Sequence, residues 1–286
     1  MVPKEITVNE FKKGQKQVKL DGIAHIPVDI AYTDKGEGIP LILLHGIPTW
    51  SYLYHNIIDE LAQKYRIIAP DFLGHGYSDH SDMFDRSIEV QAKVVLRLME
   101  YLNLEKAHII GHDTGGGVSL ILAINHPHKI DKLVLSNIVA YDSWPIDDML
   151  SLGNPEWVSK PINEIADFLK EGYIMGLSNP KTLTSTFIEG ITEPYLTNEG
   201  KISLIRNASS LNTNHTTSLV SRHKNIKAQT LLLWGVDDPW QTIKDGERLA
   251  AEIPNANLVK LENASHWVQQ DAPDRYIMNL LKFLEK

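Results

Sequence analysis

The chain has 286 residues, 43% of them hydrophobic and 22% charged, an ordinary globular composition and long enough to bury a large core. A formal charge of −8 with no basic block argues against nucleic acid and anionic membrane surfaces as partners. The absence of cysteine excludes a disulfide framework, a zinc–thiolate site and a cysteine nucleophile. Residues 1–5 lack a basic-then-apolar export signal and no apolar run approaches a membrane span, so a cytoplasmic location is expected.

In chain order, apolar runs predict strands at 28–32, 41–44, 66–69, 107–110, 132–137, 230–234 and 257–261. Several are continuously apolar, as strands buried on both faces should be. Stretches of helical length and spacing fall at 52–65, 87–102, 116–125, 245–253 and 273–285. This alternation predicts an α/β fold with a mostly parallel central sheet flanked by helices. From 139 to 217 the rhythm stops. That interval holds Trp144, Trp157, Tyr173, Tyr195, several prolines and amphipathic stretches such as 162–170, and the alternation resumes only at Ala228. So long a loop without structure of its own would be unusual. A helical cap is therefore expected at 139–217, inserted between two halves of one core at 1–138 and 218–286.

The chemistry concentrates where strands end. Gly111-His112-Asp113-Thr114-Gly115 follows an apolar strand and opens a helix, with small residues on either side of a central carboxylate. That is the small-x-nucleophile-x-small frame of a nucleophile elbow, with aspartate where serine is usual. A carboxylate suits displacement of a leaving group from a saturated carbon, leaving an alkyl ester on the enzyme. Upstream, the strand at 41–44 ends in His45-Gly46. The glycine turn can expose the Ile47 N–H, which would pair with the Thr114 N–H as an oxyanion hole. Next comes the Pro70-Asp71-Phe72-Leu73-Gly74-His75-Gly76 turn, whose glycines read as structural. Downstream, Asp237-Asp238 and His266 supply an acid and a base at consecutive strand ends, in the order nucleophile, acid, base.

The bland alternatives are weaker. His108 and His112 stand four apart, but on a strand and its turn rather than a helix, so they do not read as a zinc pair. His45 and His112 read as structural hydrogen-bonders. Ser119 and Ser136 lack an elbow frame, which disfavours an esterase using serine. No metal and no cofactor is implied; the expected partners are a small apolar organic substrate and water.

The ordered segments resemble the haloalkane dehalogenase and epoxide hydrolase branch of the α/β-hydrolase superfamily, over nearly the whole chain outside the cap. His45-Gly46-Ile47-Pro48-Thr49-Trp50-Ser51-Tyr52-Leu53-Tyr54 and the turn from Pro70 to Asp79 look especially like haloalkane dehalogenases. The resemblance implies an α/β-hydrolase fold with Asp113 as nucleophile and His266 as base. It implies Asp238 as the orienting acid, because the family acid commonly sits three residues after a glycine, here Gly235. An alternative acid position found in some relatives falls on Asn137, which is no carboxylate.

The pattern departs from those relatives at the leaving group. Thr114 stands where dehalogenases typically carry a halide-binding tryptophan, and Ile47 where many carry an asparagine. Trp144 or Trp157 from the cap could supply a halide donor, and Tyr173 and Tyr195 are candidates for the paired tyrosine acids of epoxide hydrolases. Thr114 also stands where fluoroacetate dehalogenases carry an arginine, which argues against that substrate class. The expected function is hydrolysis through an aspartyl ester, most like a haloalkane dehalogenase, with epoxide hydrolysis to diols as the alternative. A non-catalytic ligand-binding protein or an esterase is less favoured.

Overall fold

The computed structural model describes residues 6–285; residues 1–5, read above for an export signal, and residue 286 lie outside it. Eight strands form one sheet: β1 (Gln15–Leu20), β2 (Val28–Lys35), β3 (Pro40–Leu44), β4 (Arg66–Pro70), β5 (Ala107–Asp113), β6 (Ile130–Ile138), β7 (Gln229–Gly235) and β8 (Ala256–Leu261). Their spatial order is β1-β2-β4-β3-β5-β6-β7-β8. β2 runs antiparallel to both β1 and β4, and every later pairing is parallel.

Period-two geometry sends alternate side chains to opposite faces. Along β3, Ile42 and Leu44 join one apolar core, while Leu41 and Leu43 join the other. Helices Ile88–Tyr101, Thr114–Asn125 and Ile243–Glu252 contribute to the first core, and helix Pro273–Leu284 to the second. Burial on both faces is why the central strands read as unbroken apolar runs.

Two expectations need correction. The stretch 52–65 is not one helix: it holds a 3-10 turn, Ser51–Tyr54, and a four-residue helix, Ile58–Leu61. All four side chains of that turn are buried, and the Tyr54 hydroxyl donates to the Leu44 carbonyl at 2.9 Å. Tertiary packing on every side replaces the one-sided burial of an amphipathic helix. Strand β1 was missed. Its sequence, Gln15-Lys16-Gln17-Val18-Lys19-Leu20, is mostly polar because it lies at the sheet edge with only Val18 and Leu20 fully buried.

Between β6 and β7 the chain is helical, chiefly Asp147–Leu152, Ile162–Met175, Ser185–Thr192 and Asn198–Ser209. This insertion is tied to the core turns. Trp50 Nε1 donates to the Gly190 carbonyl at 3.1 Å, and Ser203 Oγ and Asn207 Nδ2 donate to the Gly74 carbonyl at 2.8 and 2.6 Å. The Gly74 turn is thereby a docking point for the insertion. No helix among the described residues is long and apolar enough to cross a membrane.

Candidate active site

The parallel strands end together at one edge, and the loops leaving β3, β5, β6, β7 and β8 converge there, the usual place for a site in such a sheet. Asp113 terminates β5 and caps helix Thr114–Asn125 with φ 50° and ψ −123°. A non-glycine residue in this left-handed region is strained, and the strain holds the carboxylate up at the tip of the turn. Two glycines make the turn possible. A Cβ on Gly46 would lie 2.1 Å from Asp113 Oδ1, and one on Gly115 would lie 2.3 Å from the carbonyl oxygens of Leu44 and His45.

The Ile47 N–H donates to Asp113 Oδ1 at 2.8 Å, and the Thr114 N–H lies close enough to favour the charged carboxylate. The two amides of the expected oxyanion hole therefore face one group. Asp113 Oδ2 lies 3.9 Å from His266 Nε2. His266 Nδ1 donates to Asp238 Oδ2 at 2.8 Å. Asp238 also accepts from Asn137 Nδ2 at 2.8 Å and from the N–H groups of Trp240 and Gln241 at 2.8 and 3.1 Å. Asp237 faces elsewhere and accepts from the Ser178 hydroxyl at 2.6 Å. Asp113, Asp238 and His266 thus form one chain of contacts, and all three are buried.

Electrostatics follow from that burial. Desolvation raises the Asp113 pKa; the His266 charge and the Thr114 and Ile47 amides offset it only in part. Burial also disfavours the His266 imidazolium, but the Asp238 and Asp113 carboxylates outweigh it and raise the His266 pKa. The His266 ring is held edge-on by Trp267 and Trp240, at centroid distances of 4.4 and 5.0 Å.

A cavity of about 110 Å³ opens over Asp113. Ile47, Thr114, Trp240, Gln241, His266 and Trp267 line it from the core, and Trp144, Phe168 and Met175 line it from the insertion. Among the described residues, the charged side chains on its walls besides the Asp113–His266 pair are Asp148 and Glu171, with no Lys or Arg.

The leaving-group candidates divide. Trp144 lines the cavity, but its indole N–H donates to Thr216 Oγ1 at 2.7 Å. Trp157 packs against Phe168 and Lys160 and is not on the cavity wall. The Tyr173 and Tyr195 hydroxyls donate to the carbonyls of Pro48 and Thr49 at 2.9 and 2.8 Å, and neither residue lines the cavity. These tyrosines brace the insertion against the loop after β3. His45 is likewise structural: Nδ1 bonds its neighbour's carbonyl at 2.9 Å, and Nε2 accepts the Phe72 N–H at 3.0 Å. His112 Nδ1 donates to the Ser136 carbonyl at 3.0 Å. No group of three or more potential metal-binding side chains occurs among the described residues.

Sequence reasoning missed Asn137 as the support of Asp238, and Gln241 and Trp267 as cavity residues. Trp267 follows the base directly and Gln241 lies three positions past the acid, so proximity in sequence was the available signal.

Residues 39–171 match the family model for the alpha/beta hydrolase fold. The chain is 30% identical over 262 residues to "Haloalkane dehalogenase 2" of Mycobacterium tuberculosis, covering 86% of this chain and 88% of that protein. It is 28% identical to a "2-hydroxy-6-oxononadienedioate/2-hydroxy-6-oxononatrienedioate hydrolase" of Comamonas testosteroni, covering 98% of this chain and 96% of that protein. Among solved structures, an alpha/beta hydrolase fold protein of Burkholderia ambifaria superposes with a TM-score of 0.86 at 25% identity, covering 93% of this chain and 97% of that one. The chain belongs to the α/β-hydrolase family and is a hydrolase of that family. One of its relatives comes from the dehalogenase branch that its motifs resemble.

Proposed function

We propose that this chain is a haloalkane dehalogenase-like hydrolase that works through a covalent ester on Asp113, beneath a helical cap formed by the insertion. The observation that carries this reading is the Asp113 carboxylate. Oδ1 is fixed by the Ile47 N–H while Oδ2 faces His266 without a hydrogen bond from it, at the floor of a largely apolar cavity.

In the first step Asp113 Oδ2 attacks the halogen-bearing carbon. A carbon–oxygen bond forms as the carbon–halogen bond breaks, and the electron pair leaves with the halide. In the second, His266 Nε2 takes a proton from water, whose oxygen attacks the Asp113 carbonyl carbon, while Asp238 holds the resulting imidazolium. The Ile47 and Thr114 amides stabilise the oxyanion. Collapse expels the alkoxide, which recovers the proton from His266, and Asp113 loses the second proton of the water to become a carboxylate again.

Two alternatives are weakened by specific observations. Epoxide opening needs a proton for the departing alkoxide, yet the Tyr173 and Tyr195 hydroxyls are committed to the backbone carbonyls of Pro48 and Thr49, and neither tyrosine lines the cavity. A halide departs without a proton. The Comamonas relative is named for dicarboxylate substrates, whereas no Lys or Arg among the described residues lines this cavity. The cavity is also somewhat smaller than the roughly 150 Å³ that accommodates benzene, which favours short substrates.

The test is to incubate His266→Gln with short bromoalkanes and weigh the peptide containing Asp113. An alkyl adduct should accumulate while steady-state turnover falls roughly 10²–10⁴-fold. If the wild type releases bromide, the variant accumulates nothing and Asp113→Asn stays active, the mechanism is wrong.

A further inference from the structure

The Ile47 N–H that faces Asp113 is the last link of a hydrogen-bond chain that begins in the insertion. Tyr173, on helix Ile162–Met175, is fully buried, and its hydroxyl donates to the Pro48 carbonyl at 2.9 Å. No other described residue donates to that carbonyl. The same peptide plane carries the Thr49 N–H, which donates to the Gly46 carbonyl at 3.1 Å. The Gly46 carbonyl shares its plane in turn with the Ile47 N–H, which donates to Asp113 Oδ1 at 2.8 Å. A carbonyl that accepts a hydrogen bond polarises the N–H across the same peptide, so each link aims and strengthens the next. Thr49 Oγ1 and His45 Nδ1, each at 2.9 Å, also hold the Gly46 carbonyl, so the loop survives loss of the first link.

Tyr195 provides the contrast. It is as buried as Tyr173 and also reaches this loop from the insertion, donating to the Thr49 carbonyl at 2.8 Å. That carbonyl accepts from His75 Nδ1 as well, at 3.1 Å, and it belongs to the next peptide, outside the chain that ends on Asp113.

The charge on Asp113 Oδ1 determines which step feels the chain. In the proposed scheme Oδ2 attacks, so Oδ1 loses its carboxylate charge and becomes the ester carbonyl oxygen. Water attack then returns a full negative charge to it. A donor held on Oδ1 therefore opposes alkylation slightly and assists ester hydrolysis.

We propose that Tyr173 is a positioning residue for the second step. Its hydroxyl, acting through the Pro48–Thr49 and Gly46–Ile47 peptides, aims and strengthens the oxyanion-hole amide that ester hydrolysis needs. This rests on the Asp113 reading above and gives the insertion a part in turnover beyond lining the cavity.

The test is single-turnover quench with terminal bromobutane, weighing the Asp113 peptide to obtain the alkylation and hydrolysis rate constants separately. Tyr173→Phe keeps the ring that packs against Trp267 at 5.5 Å and removes only the hydroxyl. Hydrolysis should slow about tenfold, a fraction of the roughly 10²–10³-fold lost when an oxyanion donor is removed outright, while alkylation is no slower than in the wild type. The alkylated fraction at steady state should rise, and kcat/KM, which reports the steps up to bromide loss, should stay within about twofold. Tyr195→Phe should leave the ratio of the two rate constants within about twofold.

A merely structural role would slow both steps of Tyr173→Phe together or raise KM alone. Either result overturns the inference, as does the same split in Tyr195→Phe. The His266→Gln adduct separates the two layers. If that adduct accumulates while Tyr173→Phe leaves the ratio of rate constants unchanged, only the Tyr173 assignment fails. If the wild type releases bromide and His266→Gln forms no adduct, the Asp113 reading fails and takes this inference with it.

Discussion

Asp113 ionises against its surroundings, and that has a measurable consequence. Burial raises its folded-state pKa above the unfolded value. A group raised in this way contributes stability that is lost as pH rises through the folded pKa. Asp113→Asn removes the ionisation, so its Tm relative to the wild type should rise as pH rises through the folded-state pKa, checked by thermal denaturation across pH. His266 has the opposite chemical requirement. Its pKa is raised too, but the proposed scheme needs it as a neutral base, so under that scheme ester hydrolysis should be lost as pH falls through that pKa. In the proposed scheme alkylation would neutralise Asp113 and remove one of the charges that hold the proton. The hydrolysis midpoint of the alkyl-enzyme should therefore lie below the His266 pKa measured by NMR in the free protein, and coincident values would count against the scheme. Asn137 acts one step further out. Its Nδ2 donates to Asp238 Oδ2, and its Oδ1 accepts the Gly235 N–H at 2.9 Å. Asn137→Ala should lower kcat by roughly 10²-fold with little change in KM, since only the aim of Asp238 and His266 is disturbed.

At the scale of elements, the insertion is held by polar contacts as well as by apolar packing. Arg86 donates from Nη1 to Ser203 Oγ at 2.8 Å and Asn207 Oδ1 at 2.6 Å, and from Nη2 to the carbonyls of His80 and Ser81 at 2.9 and 3.0 Å. The guanidinium fork joins the turn before helix Ile88–Tyr101 to helix Asn198–Ser209, a geometry lysine cannot reproduce. Arg86→Lys should destabilise the fold by about 2 kcal/mol in chemical denaturation and raise KM as the insertion loosens. The central elements were legible because their periodicity is simple: β3, β5 and β7 are apolar on both faces, and Ser87 caps a helix with regular apolar spacing. The 52–65 stretch was misread because its aromatic residues are buried by partners distant in sequence. Tyr52, for example, donates to the Ile6 carbonyl at 2.6 Å.

At the scale of the molecule, charge and site reinforce one another. The formal charge of −8 and the unpaired Asp148 and Glu171 on the cavity walls give an approaching ligand a negative field. Such a field speeds the encounter with cations and is screened by salt. If it acts on substrate capture, kcat/KM for a bromide bearing an ammonium group should fall as ionic strength rises, while the value for bromobutane stays flat. Stopped-flow bromide release would show the difference. The two cores lie on opposite sides of one sheet, and Asp113, Asp238 and His266 follow its strand ends.

The sequence by itself determined the alternating α/β order, the elbow at Asp113 and the chain order of Asp113, Asp238 and His266. These are local matters, set by apolar periodicity, turn chemistry and the residue at each strand end. Only the tertiary structure decided that Asn137 supports Asp238, and that Asp237 turns away to accept from the Ser178 hydroxyl. It alone turned the Tyr173 and Tyr195 hydroxyls onto backbone carbonyls. The reason is physical. A residue type fixes what a side chain can donate or accept, but the direction of that bond depends on neighbours that folding brings from elsewhere in the chain.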